Sequence, residues 1–367
     1  MTRIPRWPAL ALLLLAAAWC AACAREAGAP EAPPSARPAA TGTSAAATIG
    51  PATPTPASAA SVTLTAVGDV SLARELVPRM EQTGAGYPFA LVAPLLSGDI
   101  VLANLEGALT DRGEPWPKSY NFRTPPRFAD ALRLGHVSVV SLANNHILDY
   151  GAVGLADTID ALDADGIAHA GAGPNALGAR LPAIVEANGL RVAVLGYVAT
   201  PDEGGGFSVR QWAPGVDAPG VAIGAPDAIA ADVRAARAVA DFVVVAVHAG
   251  DEYRPAPNAT QRALAEAALA AGADAYIGAH AHMPQPVEQR GSQLIAWGLG
   301  NFVFDLDSVD LANIPEPRVS PVLTLTLTKG AGVTAYRVDA VTQDAGEDRP
   351  RPATPDEAAV LQALVAP

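Results

Sequence analysis

Seven short apolar runs recur between Val62 and Trp297, and helical patterns of apolar residues separate many of them. The runs cover residues 62–67, 100–103, 137–142, 192–198, 242–247, 275–277 and 294–297. Short runs of this kind are typical of buried strands, and their alternation with helices predicts an α/β domain. We predict the clearest helices at residues 155–162, 228–239 and 260–271.

The last part of the chain departs from this alternation. Residues 319–328 and 333–341 are two β-rich segments joined around Lys329-Gly330-Ala331-Gly332, which predicts an antiparallel hairpin. A mixed sheet is therefore expected, not a purely parallel one. Thr354, followed three residues later by Glu357, predicts the capped start of a short terminal helix.

The N-terminal segment lacks the pattern of a folded domain. Arg3 and Arg6 precede a short apolar run, and small residues then lead to Cys23, which is the layout of a lipoprotein-type secretory signal. We predict a signal peptide at residues 1–22 and a lipid on Cys23; a plain secretory signal is the alternative. Residues 23–60, rich in Ala, Pro, Thr and Ser, predict a disordered linker. The folded domain is predicted at residues 61–345, and a tail with a short helix at 346–367.

Charge and cysteine content limit the chemistry of the domain. A formal net charge of −13 makes the chain a poor general partner for nucleic acid. Cys20 and Cys23 are the only cysteines, so the domain has neither a thiolate ligand nor a cysteine nucleophile. Any metal must be held by His, Asp, Glu or Asn, which suits Mn, Zn, Fe or Mg.

Polar side chains follow five of the predicted strands, at the position where open α/β sheets bind ligands. They are Asp69, the pair Asn104 and Glu106, the run Asn144-Asn145-His146, His248, and the pair His280 and His282. Taken alone, Asp69 also fits a turn and His248 a structural histidine. Four of the six histidines nevertheless fall at strand ends, and this joint placement favours one metal site.

The order of these motifs resembles that of calcineurin-like metallophosphoesterases, and their wording is similar to the poly-γ-glutamate capsule synthesis (CapA/PgsA-like) family. The shared motifs are Gly68-Asp69, Asn104-Leu105-Glu106, Asn144 to Gly151, His248-Ala249-Gly250-Asp251-Glu252, Gly278 to His282 and Gly300 to Phe304. The resemblance covers roughly residues 62–305 and implies a metallophosphatase-like αββα sandwich with mixed sheets. Asp69-Val70-Ser71 departs from the Asp-x-His of the phosphoesterases; this departure removes one usual ligand of the first metal and argues against a standard two-metal phosphoesterase.

The resemblance also implies roles for single residues. The metal ligands, for one or two divalent ions, would be Asp69, Glu106, Asn145, His248, His280 and His282. His146 would be catalytic, and Asp149 and Glu252 would support the ligands from behind. We also expect Asn104, Asn144, Lys118 and Arg123 to contact the substrate. For Lys118 and Arg123 the reason is their charge, since two cations in one loop of an otherwise acidic protein would hold carboxylates or phosphates. A solvent-exposed loop is the alternative interpretation for Lys118 and Arg123.

The function implied is that of an exported, membrane-anchored protein of poly-γ-glutamate, or related anionic polymer, synthesis or export. Its expected partners are the polymer or a phosphate-ester substrate and a polymer-synthesis complex in the membrane. Two alternatives stay open. One is a metal-dependent envelope phosphoesterase unrelated to capsule, and the other is a non-enzymatic binding lipoprotein.

Overall fold

A computed structural model of the protein describes residues 59–203, 205–344 and 346–367. The strands are β1 (Ser61–Val70), β2 (Ile100–Leu105), β3 (Ala108–Leu109), β4 (Arg123–Thr124), β5 (Val139–Ser141), β6 (Ala168–Ala170), β7 (Ala172–Gly173), β8 (Ala183–Ala187), β9 (Leu190–Ala199), β10 (Gly220–Val221), β11 (Phe242–Ala249), β12 (Ala275–Ala279), β13 (Val287–Arg290), β14 (Gln293–Ala296), β15 (Asn301–Val303), β16 (Val319–Thr328), β17 (Gly332–Thr342) and β18 (Arg351–Pro352). The α-helices are α1 (Leu76–Thr83), α2 (Asp130–Leu134), α3 (Gly151–Ala164), α4 (Ala176–Arg180), α5 (Pro226–Arg237), α6 (Ala259–Ala270), α7 (Ser308–Asn313) and α8 (Pro355–Val365).

Two mixed sheets contain most of these strands. Sheet 1 has the order β18-β17-β16-β1-β2-β5-β6, with β15 also paired to β1. In sheet 1 the strands β1, β2, β5 and β6 are parallel, and the β16–β17 pair is the antiparallel hairpin predicted from the sequence. Sheet 2 has the order β13-β14-β12-β11-β9-β8, with antiparallel strands at both edges. The prediction of a mixed sheet is confirmed for both.

The two sheets pack face to face and helices cover their outer faces. Leu64 of β1 and Val244 of β11 belong to one buried cluster, which forms the core between the sheets. Val101 of β2 points to the other face of sheet 1 and packs in a cluster with α1 and α3. Val245 points to the other face of sheet 2 and packs with α5 and α6. Neighbouring residues of a strand thus serve different layers, and the αββα sandwich implied by the resemblance is confirmed.

The main elements lie where the sequence predicts them. The seven apolar runs overlap β1, β2, β5, β9, β11, β12 and β14, and the three predicted helices overlap α3, α5 and α6. At the start of α8, Thr354 and Glu357 form the predicted capping box, with Thr354 N donating to Glu357 Oε2 at 2.7 Å. The parallel strands of both sheets direct their carboxyl ends toward one side of the sandwich, which is where the polar side chains gather.

Candidate metal centre

The carboxyl ends of β1 and β2 bring three buried polar side chains together. Asp69 lies near the end of β1, Asn104 lies in β2, and Glu106 follows β2 directly. Asn104 Nδ2 donates to Asp69 Oδ1 at 2.8 Å and to Glu106 Oε2 at 3.4 Å. Sheet 1 therefore presents two carboxylates joined by one amide group.

The segment after β5 adds two amides and an imidazole. Asn144 Nδ2 donates to the β2 backbone at 2.7 Å, and Asn144 Oδ1 accepts from the His146 N–H at 3.0 Å. Asn145 Nδ2 donates to Glu203 Oε1 at 2.7 Å, while Asn145 Oδ1 lies 2.9 Å from His248 Nε2. Asn144 thus fixes the segment to sheet 1, whereas Asn145 reaches across to sheet 2.

Sheet 2 contributes three imidazoles. His248 lies in β11, and His280 and His282 follow β12. His280 Nδ1 is 3.2 Å from His248 Nε2, and the His280 N–H donates to Asp69 Oδ2 at 3.2 Å. His280 and His282 have φ values of 89° and 57°, a backbone conformation that residues with side chains rarely adopt. Such strain often accompanies functional sites, because the surrounding fold must hold it in place.

Burial controls the protonation of this cluster. Burial raises the pKa of Asp69, and burial together with the charge of Asp69 raises the pKa of Glu106 well above its usual range. Burial also lowers the pKa of His248 and His280 well below the usual range, which favours the neutral form of both imidazoles. Glu106 Oε1 has no hydrogen-bond partner in the described part of the chain. Carboxylates crowded beside neutral imidazoles fit a divalent cation, which would relieve their repulsion.

Two groups of three side chains have the spacing of metal ligands. In each group the potential ligand atoms all lie within 4.8 Å of one another. The first group is Asp69, Glu106 and His248, and the second is Glu252, His280 and His282. The first group joins carboxylates of sheet 1 to an imidazole of sheet 2, whereas the second comes from sheet 2 alone.

His146 has a defined ring orientation beside these groups. Its Nδ1 lies 2.8 Å from Asp149 Oδ2 and 3.2 Å from Lys118 Nζ. The carboxylate contact is the shorter one and a carboxylate only accepts hydrogen bonds, so we assign the proton to Nδ1. The free nitrogen is Nε2, which lies 3.8 Å from Glu106 Oε1. The ring stacks on Phe122 with 4.1 Å between centroids. Burial lowers the pKa of His146 despite the nearby charge of Asp149. A neutral imidazole thus points its free nitrogen toward the first ligand group.

A buried ion pair stands behind His146. Lys118 Nζ lies 2.9 Å from Asp149 Oδ1, and both side chains are fully buried. The ammonium group also contacts the backbone carbonyl of Asn145. It lies 4.8 Å and 5.1 Å from the ring centroids of Phe207 and Trp212. Lys118 therefore holds Asp149, which in turn holds the His146 ring.

A comparison with known families matches the part of the chain that contains these side chains. The family described as "Bacterial capsule synthesis protein PGA_cap" matches residues 63–306, which include every member of the two ligand groups. The chain belongs to this family. The capsule synthesis region thus begins in β1, ends shortly after β15, and includes the ends of all strands that carry the candidate ligands. The family resemblance stated from the sequence is confirmed.

Two relatives carry capsule names. The PGA biosynthesis protein CapA of Bacillus subtilis is 33% identical over 243 residues, which cover 65% of this chain and 62% of that protein. The capsule biosynthesis protein CapA of Bacillus anthracis is 32% identical over 261 residues, which cover 66% and 60%. The chain therefore spans less than two thirds of the length of these relatives. A hypothetical protein from Thermus thermophilus is similar in structure, with a TM-score of 0.47 and 17% identity over 77% of this chain and 100% of that chain.

All six predicted metal ligands lie within the residues that match the capsule family, and the structure brings them together at one end of the sandwich. Asp69, Glu106 and His248 form one group, His280 and His282 belong to the other, and Asn145 contacts His248. Their roles as ligands stay a prediction. Asp149 lies beside His146 Nδ1, and its supporting role stays a prediction. Glu252 lies among the candidate ligand atoms and not behind them, so its placement differs from the predicted supporting role.

The two cations predicted to hold substrate lie away from the site opening. Lys118 is fully buried against Asp149, and Arg123, in β4, lies over the ring of Tyr150 at 4.5 Å from its centroid. Neither lines the open cavity in front of the ligand groups. The predicted substrate contact of both residues does not fit these positions, because the loop folds with Lys118 turned inward.

The two amides predicted to contact substrate are used within the protein. Asn104 bonds to both carboxylates of sheet 1, and Asn144 bonds to the β2 backbone and to Asn104. Both side chains are buried. These contacts hold neighbouring groups of the protein in position. Within the described residues, neither amide lines the open cavity.

Several residues of the cavity wall were not predicted from the sequence. Arg74, Glu203 and Tyr253 all line the cavity beside His146 and His282. Glu203 follows β9, so the same strand-end rule that found Asp69 could have found it. Arg74 and Tyr253 lie in turns with φ values of 58° each, and no pattern in the sequence marks these turns.

The predictions on the N-terminal segment concern a different part of the chain. The signal peptide at residues 1–22, the lipid on Cys23 and almost all of the linker lie outside the described residues. Among the residues that the structure describes, no helix has the length and apolar character needed to cross a membrane.

Proposed function

We propose that the protein acts in the synthesis or export of poly-γ-glutamate or a related anionic envelope polymer, with divalent metal bound at the strand ends. Membership of the capsule synthesis family and the names of the two CapA relatives support the biological role. The observation that carries the metal site is the buried Glu106 Oε1, which has no hydrogen-bond partner among the described residues and whose side chain lies in one group with Asp69 and His248.

The chemistry follows from the two ligand groups and His146. Asp69, Glu106 and His248 would hold one ion, and His280, His282 and Glu252 a second, with Asn145 beside them. A bound divalent ion lowers the pKa of water and stabilises negative charge that develops on a substrate. His146 Nε2 would accept a proton from the attacking water and deliver it to the leaving group, while Asp149 stabilises the charged ring through Nδ1.

A metal-dependent envelope phosphoesterase is the second candidate, and the orientation of His146 favours it. An imidazole with a carboxylate on Nδ1 and a free Nε2 facing the ligand groups can serve as a general acid and base in ester hydrolysis. Both candidates use the same metal site. The capsule protein would hold or cut the anionic polymer, whereas the phosphoesterase would cut a phosphate ester.

A paired assay separates the candidates. Purified protein loaded with Mn or Zn is tested on a generic phosphate monoester and, separately, for retention or cleavage of poly-γ-glutamate. His146→Ala is the test variant, and His169→Ala, in β6, is the control because His169 lies outside both ligand groups.

We expect the polymer to be held or cut by metal-loaded protein. Ester hydrolysis that is lost in His146→Ala but kept in His169→Ala would instead favour the phosphoesterase. A protein that takes up metal, leaves both substrates intact and does not retain the polymer would contradict both candidates. It would leave the non-enzymatic binding lipoprotein standing.

Location is a further part of the proposal. The signal pattern and the small residues before Cys23 support export and a lipid anchor, which would hold the domain near a membrane polymer-synthesis complex. Cell fractionation should find the wild type with the membrane and the Cys23→Ser variant released from it. Identical distribution of the two would show that Cys23 is not the anchor.

A further inference from the structure

Arg74 is a cation at the opening of the candidate metal centre. It follows β1, the strand that carries Asp69, and lies in a left-handed turn. Its guanidinium lies 5.4 Å and 4.8 Å from the ring centroids of Tyr120 and Phe122. It lines the same cavity as His146 and His282. A cation is thus held on an aromatic surface in front of the ligands.

The acidic residues of that cavity are already engaged by protein donors. Glu203, Asp307 and Asp310 line it, and each accepts a hydrogen bond from a neighbouring group. The donors are Asn145 Nδ2 at 2.7 Å, the Val309 backbone N–H at 2.7 Å and the Tyr253 hydroxyl at 3.0 Å, respectively. Glu252, the remaining acid, belongs to the second ligand group.

The contacts of Arg74 are weaker. In the described part of the chain, Arg74 makes two hydrogen bonds, and both come from Nη1. One goes to the Asp305 carbonyl at 3.4 Å and the other to Asp307 Oδ2 at 3.5 Å. A guanidinium has five N–H donors in a planar fork, so most of the donors of Arg74 are left for another acceptor. Its side chain is 27% exposed, which keeps it accessible from the cavity.

We propose that Arg74 binds an oxyanion of the substrate, a carboxylate or a phosphoryl group, in front of the metal ligands. The planar fork matches both oxyanions with two parallel hydrogen bonds, and the rings of Tyr120 and Phe122 lie close to it as cation–π partners. Arg74 thus takes the role that the sequence assigned to Lys118 and Arg123. The inference rests on the proposed function for the metal beside it, but the arginine contact can be measured separately.

The test measures binding of two simple oxyanions by calorimetry. Glutarate serves as the carboxylate probe and inorganic phosphate as the phosphoryl probe, each titrated into protein loaded with Mn²⁺. The variants are Arg74→Gln and Arg74→Lys. Arg79→Gln is the matched control, because Arg79 is a half-exposed arginine of α1 that pairs with Asp348 and does not line the cavity.

We expect Arg74→Gln to weaken binding of the preferred oxyanion about tenfold or more, the usual effect of losing a charge-assisted contact. Arg74→Lys should give an intermediate loss, and Arg79→Gln none. Mn²⁺ affinity should be equal in all four proteins, which also shows that the variants are folded. Tighter binding of glutarate identifies a carboxylate substrate, and tighter binding of phosphate identifies a phosphoryl substrate.

Equal oxyanion affinity in wild type and Arg74→Gln would overturn the inference, as would a wild type that binds neither probe. If the protein takes up no Mn²⁺, the metal proposal fails and the titrations are repeated without metal. Binding that depends on Arg74 would then support the inference alone, and no binding would overturn both.

Discussion

The two sheets supply different sets of side chains to the same site. Sheet 1 supplies two carboxylates, Asp69 in β1 and Glu106 after β2, whereas sheet 2 supplies the imidazoles of His248, His280 and His282 and, after β11, the carboxylate of Glu252. The first ligand group contains members from both sheets. It is therefore complete only when the sheets are packed against each other. Metal binding at this group would then stabilise the sandwich by linking the two halves.

The supports behind the two halves also differ. On the side of sheet 1, His146 is backed by the buried pair of Lys118 and Asp149. On the side of sheet 2, His282 stacks on Tyr253 with 5.7 Å between ring centroids, and the Tyr253 hydroxyl donates to Asp310 at 3.0 Å. Removing one partner of a buried ion pair leaves the other charge buried and unpaired. When the hydroxyl of a half-exposed tyrosine is removed, water can replace its hydrogen bond. The first half should thus be more sensitive to substitution.

The Lys118→Met variant should show the greatest loss. It keeps the volume of the side chain but leaves Asp149 as a buried carboxylate without its cation, which costs about 3 kcal/mol of unfolding free energy. The control is Lys329→Met, at the only other lysine, which pairs with Asp241 at 2.8 Å but is 61% exposed. Exposed pairs contribute about 0–1 kcal/mol. Urea unfolding measures both, and equal losses would show that the buried pair does not support this half.

Two glycines allow a direct test of symmetry between the halves. A Cβ on Gly68, before Asp69, would lie 1.8 Å from the Gly300 carbonyl oxygen, and one on Gly278 would lie 1.8 Å from that of Trp297. Backbone cannot move as a side chain can, so Gly68→Ala and Gly278→Ala should each cost about 2 kcal/mol.

The matched control for these glycines is Gly86→Ala. Gly86 has a φ of −70°, and the nearest atom to its added Cβ is a Leu134 side-chain carbon at 3.6 Å. Thermal unfolding should therefore change little in this variant. If Gly68→Ala and Gly278→Ala also unfold like the wild type, the neighbouring backbone carbonyls do not lie as close to these two glycines as the structure shows.

Tyr253→Phe should have the least effect. The substitution keeps the ring against His282 and removes the hydroxyl that bonds to Asp310, which costs about 1 kcal/mol. Tyr336→Phe is the control, because Tyr336 is 41% exposed and its hydroxyl has no hydrogen bond among the described residues. Chemical unfolding of the two variants compares them, and a loss above that of Lys118→Met would reverse the ranking of the two supports.

The sequence predicts the site well where local pattern decides it. Apolar runs mark the strands, parallel strands end on the same side, and residues such as Asp69 and His248 therefore meet although they are far apart in the chain. The pair His280 and His282 is recognisable from its own spacing. These positions follow from the order of elements alone.

The sequence fails where distant loops decide the environment of a side chain. Lys118 is buried because Phe207 and Trp212, about ninety positions later, pack around its ammonium group. Nothing within the Lys118 loop encodes that contact. The exposure of Arg74 likewise depends on a left-handed turn and on the rings of Tyr120 and Phe122, so its place at the cavity is a tertiary property.

Metal content is the most direct measure of the site. Elemental analysis of purified protein should find roughly one or two divalent transition-metal ions per chain. His280→Ala should lower that content, since His280 belongs to the second group and touches His248 of the first. His169→Ala should leave it unchanged, because His169 lies in β6 against Asp163 at 3.4 Å. A chain that purifies without metal and takes up neither Mn nor Zn would contradict the metal centre.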